Sequence, residues 1–237
     1  MKRHPDAPAP NRALRKSERT RQAIFDAAIE FLRTHPFRDM TVNRLMAATT
    51  LSRPTFYQYF KDLHELMEAL LADLETDVLR AAALWQVTGG DRITALRAAL
   101  KEVVDVSYRS GPLMRAVSDA APQDHRLEIA WKNFLGHLDS LVADQIEREQ
   151  AMGLIAPFDA MPVAVSLNRM DVLTFITRFG QRPRAEPGPV LDAITRIWTS
   201  TLYAGAGTAA QAAAETRHHR HGEKDTDNPQ HSGETEQ

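Results

Sequence analysis

The stretch Thr41 to Lys61, TVNRLMAATTLSRPTFYQYFK, limits what this chain can fold into more than any other. It reads as two short helices around a tight turn. Thr41 is placed to cap the first, since its hydroxyl accepts from an unpaired backbone N–H. Val42, Leu45 and Met46 recur at i, i+3, i+4, one face of a helix. The turn falls at Thr49, Thr50 and Leu51. Ser52 caps the second helix, and Pro54 fits its first turn, where no N–H is needed. Phe56 and Phe60 share a face and point inward. Arg53, Thr55, Tyr57, Gln58 and Tyr59 are left outside, a set with no acid and no aliphatic side chain.

That outer set suits a major groove. Arg pairs bidentately with guanine, Gln with adenine, and Thr touches the thymine methyl. Hydroxyls bond phosphate oxygens and fix register. With their flanks, the candidate DNA-contacting residues are Thr41, Asn43, Arg53, Pro54, Thr55, Tyr57, Gln58, Tyr59 and Lys61. A helical hairpin with a polar outer face satisfies the same composition. The order of residues favours DNA: SRPTFYQYF followed by KDLHEL resembles the DNA-binding domain of the TetR family of bacterial repressors, over about Arg19 to Leu74. Two positions depart from that family. Its turn carries Gly where this chain has Thr50, which implies a strained or remodelled turn. Its next helix opens with Lys where this chain has Leu63, which removes one phosphate contact.

Charge divides along the chain. Residues 1–61 hold 12 Lys+Arg and 5 Asp+Glu, so 12 − 5 gives +7; residues 62–208 hold 14 and 20, giving −6. The basic part is the part with the helix-turn-helix, as a polyanion partner requires. There is no Cys, so no disulfide and no thiolate metal site. No apolar run reaches the length of a membrane span, and MKRHPDAPAP is not a signal peptide. The expected setting is the cytoplasm, with no membrane partner. Period-2 alternation of β-branched residues is missing, so the class is all-α.

Spacing predicts helices from Ser17 to about His35, Asp62 to about Leu84, Asp91 to Ser110, Pro112 to Ala121, Asp124 to Met152, Met161 to Phe179 and Val190 to Tyr203. Asp62 with Glu65 makes a capping box. Gly89-Gly90, Gly111-Pro112, Pro122, Gly153 and the segment GQRPRAEPGP read as breaks or loops. Residues 1–16 read as a disordered basic arm: Arg12, Arg15 and Lys16 reach phosphate or minor groove, or the segment is a solvated tail. Residues 17–66 form the three-helix DNA-binding domain, 67–208 a larger helical domain for ligand binding and dimerisation, and 209–237 a disordered tail. His218, His219 and His221 in that tail are an adventitious metal cluster at most; no metal or cofactor is expected.

The larger domain has a narrower likeness. LNRMDVLTF, a Pro-rich loop and VLDAITRIWTSTLYAG resemble the end of EthR-type repressors, a subgroup of the family, and RPTFY matches the same subgroup. The resemblance implies a homodimer through the last two helices and an apolar tunnel for a small hydrophobic effector. It implies that Asn168 holds a ligand carbonyl. It puts Asp171 where the subgroup has a second Asn, and Arg97 where it has an aromatic at the tunnel mouth. The remaining candidates lie on inner helix faces: Val104, Tyr108, Trp131, Phe134, Leu138, Phe175 and Trp198. Asp171 is expected to face Arg97 or Arg115, or to lie at the dimer seam. Excess apolar surface on the last two helices, Ile194 and Leu202 included, points to that seam. The leading reading is a homodimeric repressor of double-stranded operator DNA, released by a small hydrophobic molecule. The alternative is a DNA-binding regulator with a filled core. An enzyme is not indicated: there is no Ser-His-Asp set, phosphate loop or carboxylate-pair motif.

Overall fold

A computed structural model of the chain describes residues 10–86 and 91–204. Helices and their connections make up all of the described residues, and no strand occurs among them. The helices are α1 (Pro10–Leu32), α2 (Val42–Ala47), α3 (Arg53–Tyr59), α4 (Leu63–Ala82), α5 (Arg92–Ala120), α6 (His125–Ala151), α7 (Ala160–Phe179) and α8 (Pro187–Leu202). Short 3₁₀ turns stand at Phe37–Asp39, Ala83–Gln86 and Ala121–Gln123. The Gly89-Gly90 break and the tail from Ala209, with its histidines, lie outside the described residues.

The N-terminal unit is closed by aromatic packing. Phe56 of α3 is fully buried, and Phe60 after it packs on Phe56 at 5.7 Å and on Phe25 of α1 at 5.8 Å. Ile24, Ala28, Leu45 and Met46 fill the space between. The expected Thr41 and Ser52 caps are present, accepting from the N–H of Arg44 and of Thr55. α4 then leaves this unit. Asp62 caps it by accepting from Glu65 N–H at 2.8 Å, and the Glu65 carboxylate reaches back one residue further than expected, to Lys61 N–H. Leu66, Leu70, Leu74 and Val78 recur along its inner face and join both units into one continuous core.

Several boundaries differ from the spacing rules. α1 begins at Pro10, so residues 10–16 extend the helix rather than forming a disordered arm. Pro at a helix start costs nothing, and Ala13, Leu14, Arg15 and Lys16 are good helix formers. The expected break at Gly111-Pro112 is absent: α5 runs through both. Pro112 removes one donor, but tertiary packing holds the helix. Gly111 lies against the end of α7, where an added Cβ would stand 2.6 Å from the Phe179 carbonyl carbon. Gly180 meets the same crossing from the other side, with the Gly111 oxygen 3.0 Å from its notional Cβ. The glycine pair therefore sets how closely α5 and α7 approach. α8 starts at Pro187, inside the segment expected to be loop, since Pro187 and Pro189 fall in its first turn where no N–H is needed. α5 packs against α1, α4, α6, α7 and α8 and is the central helix.

This crossing gives a first prediction. Gly to Ala inside an exposed helix gains roughly 1 kcal/mol from propensity. Gly111→Ala should instead destabilise by about 1–3 kcal/mol, because the obstacle is backbone and cannot rotate away. Urea denaturation measures it; equal or greater stability would contradict the close crossing.

Candidate functional site

Two surfaces carry chemistry: the outer face of α3, and a cavity among α4, α5, α6, α7 and α8.

On α3, Arg53, Pro54, Tyr57 and Gln58 are exposed, with Thr55 and Tyr59 half-buried. Asn43 on α2, Thr41 and Lys61 are exposed at its flanks. The predicted set therefore lies around one short helix, on the side away from Phe56. Arg53 leans over the Tyr57 ring, 5.7 Å from its centre, and its Nη2 donates to the Tyr57 hydroxyl at 3.4 Å. Both side chains are thus held together on the outer face. The Thr41 and Thr55 hydroxyls are engaged locally, Thr41 with Arg44 N–H and Thr55 with Ser52. The turn without glycine is held by Thr49. Its hydroxyl donates to the Met46 carbonyl at 2.9 Å and accepts from Leu51 N–H at 3.1 Å. Sequence reasoning passed over Arg44, which is exposed beside Asn43. Its guanidinium sits 4.9 Å over the Phe31 ring and donates to the Asp39 carbonyl.

The cavity has a volume of about 60 Å³. Of the residues expected to line it, Phe134, Leu138, Asn168, Asp171, Phe175 and Trp198 do. Val104, Tyr108 and Trp131 do not. Val104 is core elsewhere on α5. Tyr108 packs edge-on to Phe179 at 5.3 Å under the Arg184 guanidinium. Trp131 stacks behind Phe134 at 5.3 Å. Residues not anticipated include Val78, Ala82 and Trp85 from α4 and the turn after it, Leu96, Ser107 and Met114 from α5, and Val172 from α7. The spacing of Val78, Ala82 and Trp85, at i, i+4, i+7, was the signal available for the first three.

Polar groups at the cavity are few and specific. Asn168 Nδ2 donates to Asp139 Oδ1 at 3.0 Å, and Arg169 grips both oxygens of Asp139 at 3.1 and 2.7 Å. The internal partner for the Asn168 amide is thus an acid on α6. Asp171 does not meet Arg97 or Arg115. Arg97 pairs with Asp192 at the surface, and Arg115 reaches the Gly180 carbonyl and Asp119. Nor is Asp171 at a surface seam. It is buried, its Oδ2 accepts from Trp198 Nε1 at 3.0 Å, and its Oδ1 has no hydrogen-bond partner among the described residues. Burial pushes its carboxyl up to about 8, with the Trp198 hydrogen bond acting weakly the other way.

A second buried acid stands behind Trp85, linked to it through Tyr203. Glu149 is fully buried and pairs with Arg92. Gln145 Nε2 donates to it at 2.9 Å and the Tyr203 hydroxyl at 2.6 Å. Trp85 Nε1 donates to that hydroxyl at 3.0 Å, and the Trp85 ring meets Trp198 edge to face at 5.8 Å. Burial, and then Glu149, raise the Tyr203 phenol above its ordinary value. Both Glu149 oxygens thus have partners, whereas Asp171 has one partner and one bare oxygen.

Against known proteins, a family model of bacterial regulatory proteins of the tetR family matches residues 24–70, the unit carrying α2 and α3. A model of the C-terminal domain of the transcriptional regulator EthR matches residues 96–204, where most of the cavity lies. The HTH-type transcriptional regulator EthR of Mycobacterium tuberculosis H37Rv is 29% identical over 190 residues, covering 76% of this chain and 86% of that protein. EthR of Mycolicibacterium smegmatis is 27% identical over 205 residues, covering 83% and 92%. Among solved structures, a regulatory protein of the tetR family from Rhodococcus RHA1 is similar in fold, with a TM-score of 0.64, 15% identity, and coverage of 78% of this chain and 97% of that one.

The Asp171 environment fixes the sign of a pH effect. Its carboxyl stands at about 8 in the fold, against 3.8 as its ordinary value. Between those values the folded state holds a proton that the unfolded state has lost. Stability from this group is full below the lower value and is lost as pH rises toward the upper one. Asp171→Asn should therefore gain stability relative to wild type between about pH 5.5 and about pH 8.5. Melting temperatures of both proteins across that range test this; a difference independent of pH would show that Asp171 is ionised throughout.

Proposed function

Because the chain belongs to the TetR family of DNA-binding transcriptional regulators, a repressor class and not an enzyme, we propose that it is a cytoplasmic homodimeric repressor released from its operator by a small hydrophobic molecule. The observation that carries the reading is the course of α4. It starts beside α3, at the Asp62 cap, and ends on the cavity wall at Val78 and Ala82. A molecule that widens the cavity moves the far end of the lever that carries α3. Ligand and DNA then oppose each other with one reciprocal coupling free energy. Reading two half-sites needs the recognition helices of a dimer about 34–36 Å apart. A displacement of a few ångströms per protomer spoils that register.

The size of the cavity bears on this. Ligand sites are typically about 300–1,000 Å³, so a cavity of about 60 Å³ is smaller than such a site. That supports a two-state switch in which the ligand selects an opened form. It equally favours the second reading, a regulator whose core is filled. Thermal shift with apolar compounds separates the two: on the switch reading, compounds that raise the melting temperature also weaken operator binding.

Dimerisation through α7 and α8 is supported by what these helices leave uncovered. Ile194 and Leu202 are buried within the protomer and are not available to a partner. Leu173, Ile197 and Met161 are exposed, at 63%, 41% and 44%. A two-fold contact covers such a surface.

Two expected outcomes follow from these assignments. Arg53→Ala should cost about 1–3 kcal/mol in operator binding and relax preference at one base pair, whereas Lys61→Ala should weaken all sequences alike and lower the salt slope. Leu173→Arg with Ile197→Arg should give a folded monomer with poor operator binding. Sedimentation and a fluorescence binding assay read both. Intact operator affinity in Arg53→Ala, or a wild-type monomer at micromolar concentration, would overturn the respective assignment.

A further inference from the structure

Asp171 departs from everything else on the cavity wall. The wall it shares includes Val172, Phe175, Leu138 and the two tryptophans Trp85 and Trp198, the last of which it touches. The other polar groups at the wall are Ser107 on α5 and Asn168 on its own helix. The nearby acids are each satisfied: Asp139 by Asn168 and Arg169, Glu149 by Arg92, Gln145 and Tyr203. Asp171 alone among these acids has a buried oxygen with no partner. No charged side chain acts on it from α5, α6 or α8; burial and the Trp198 indole set its proton. Leaving a buried acceptor bare costs free energy that an apolar side chain of similar shape would not. Once Asp171 is ionised the site lacks a donor for that oxygen, and the strongest donor for a carboxylate in an apolar enclosure is a cation.

We propose that the cavity takes a hydrophobic amine, with its ammonium donating to the free Oδ1 of Asp171 and its hydrocarbon chain among Phe134, Leu138, Phe175 and Trp198. This rests on the ligand-switch reading above and names its ligand class. Trp198 has a double part: its indole N–H holds Oδ2, which leaves Oδ1 as the oxygen without a partner, and its ring forms wall. The proton balance is explicit. The free site is largely protonated at neutral pH, and the amine arrives as ammonium. Binding ionises Asp171, and its proton leaves to solvent. The ammonium keeps its own proton and shares it in the hydrogen bond.

The test uses the full chain and three probes of equal length: n-octylamine, 1-octanol and 2-octanone. Calorimetry at pH 7 is run in buffers of different ionisation enthalpy. The expected result is at least about tenfold tighter binding of the amine than of either neutral probe. Close to one proton should be released with the amine and none with the others. The proton count needs no variant. Asp171→Asn should erase the preference, so that amine, octanol and octanone bind alike when all three are measured on that variant, with no proton released by the amine. If the alcohol or ketone binds as tightly as the amine, or the amine binds with no proton released, the amine assignment is overturned and the ligand switch stands. If none of the probes binds, the switch reading falls with it.

Discussion

Two aspartates tie the DNA-binding unit to the rest of the molecule, and each does two jobs. Asp62 caps α4 and also accepts from Arg126 of α6 at 3.0 Å. Asp124 caps α6, accepting from the N–H groups of Arg126 and Leu127, and also pairs with His64 of α4. The start of each helix is therefore fastened to a side chain on the other. Arg126 adds two bonds to Glu68 at 2.9 Å, and His137 meets Glu75 further along. Glu68 first, and Asp62 with it, raise the Arg126 guanidinium above its ordinary value. Such half-exposed pairs contribute little stability singly. Their consequence is geometric: they set α4 and α6 in one register along their length.

That constraint gives the cavity its reach. α4 and α6 both line it, through Val78 and Ala82 on one side and Phe134, Leu138 and Val142 on the other. On the proposed switch, widening the gap between them would pivot α4 about the clamp at its N-terminus, where α3 is attached through Phe60 and Asp62. The crossing of α5 on α7 at Gly111 and Gly180 acts as the fixed frame, since backbone there touches backbone. The Glu149 network fastens the opposite end of α6 to α5 and to Tyr203. The structure thus has polar and backbone contacts at its ends and an apolar middle that holds the cavity.

The local elements were legible because their signals are local. Caps at Thr41, Ser52 and Asp62, and the inward pair Phe56 and Phe60, stand where spacing put them. The outer set of α3 followed by elimination. What spacing missed depends on contacts between distant residues. Gly111-Pro112 carries the strongest local stop signal in the chain, yet the helix continues because Phe179 packs there. Asp171 was matched to Arg97 or Arg115 on charge alone, while its partner is an indole on another helix. Tyr108 and Trp131 are expected in the cavity from their inner helix faces, yet they pack on Phe179 and Phe134 beside it, because an inner face does not say which of its residues border the gap. Ile194 and Leu202 likewise looked like seam residues, but the protomer buries them itself.

The central claim is that the cavity and the spacing of the recognition helices are one equilibrium. The chain has no cysteine, so a single cysteine at the exposed Ala47 beside α3 carries one spin label per protomer. Pulsed dipolar spectroscopy then measures the label-to-label distance in a dimer, with and without an apolar compound that raises the melting temperature. The account predicts that the distribution without compound matches that on operator DNA, and that the compound shifts it by several ångströms. An unchanged distribution with the cavity occupied would contradict it.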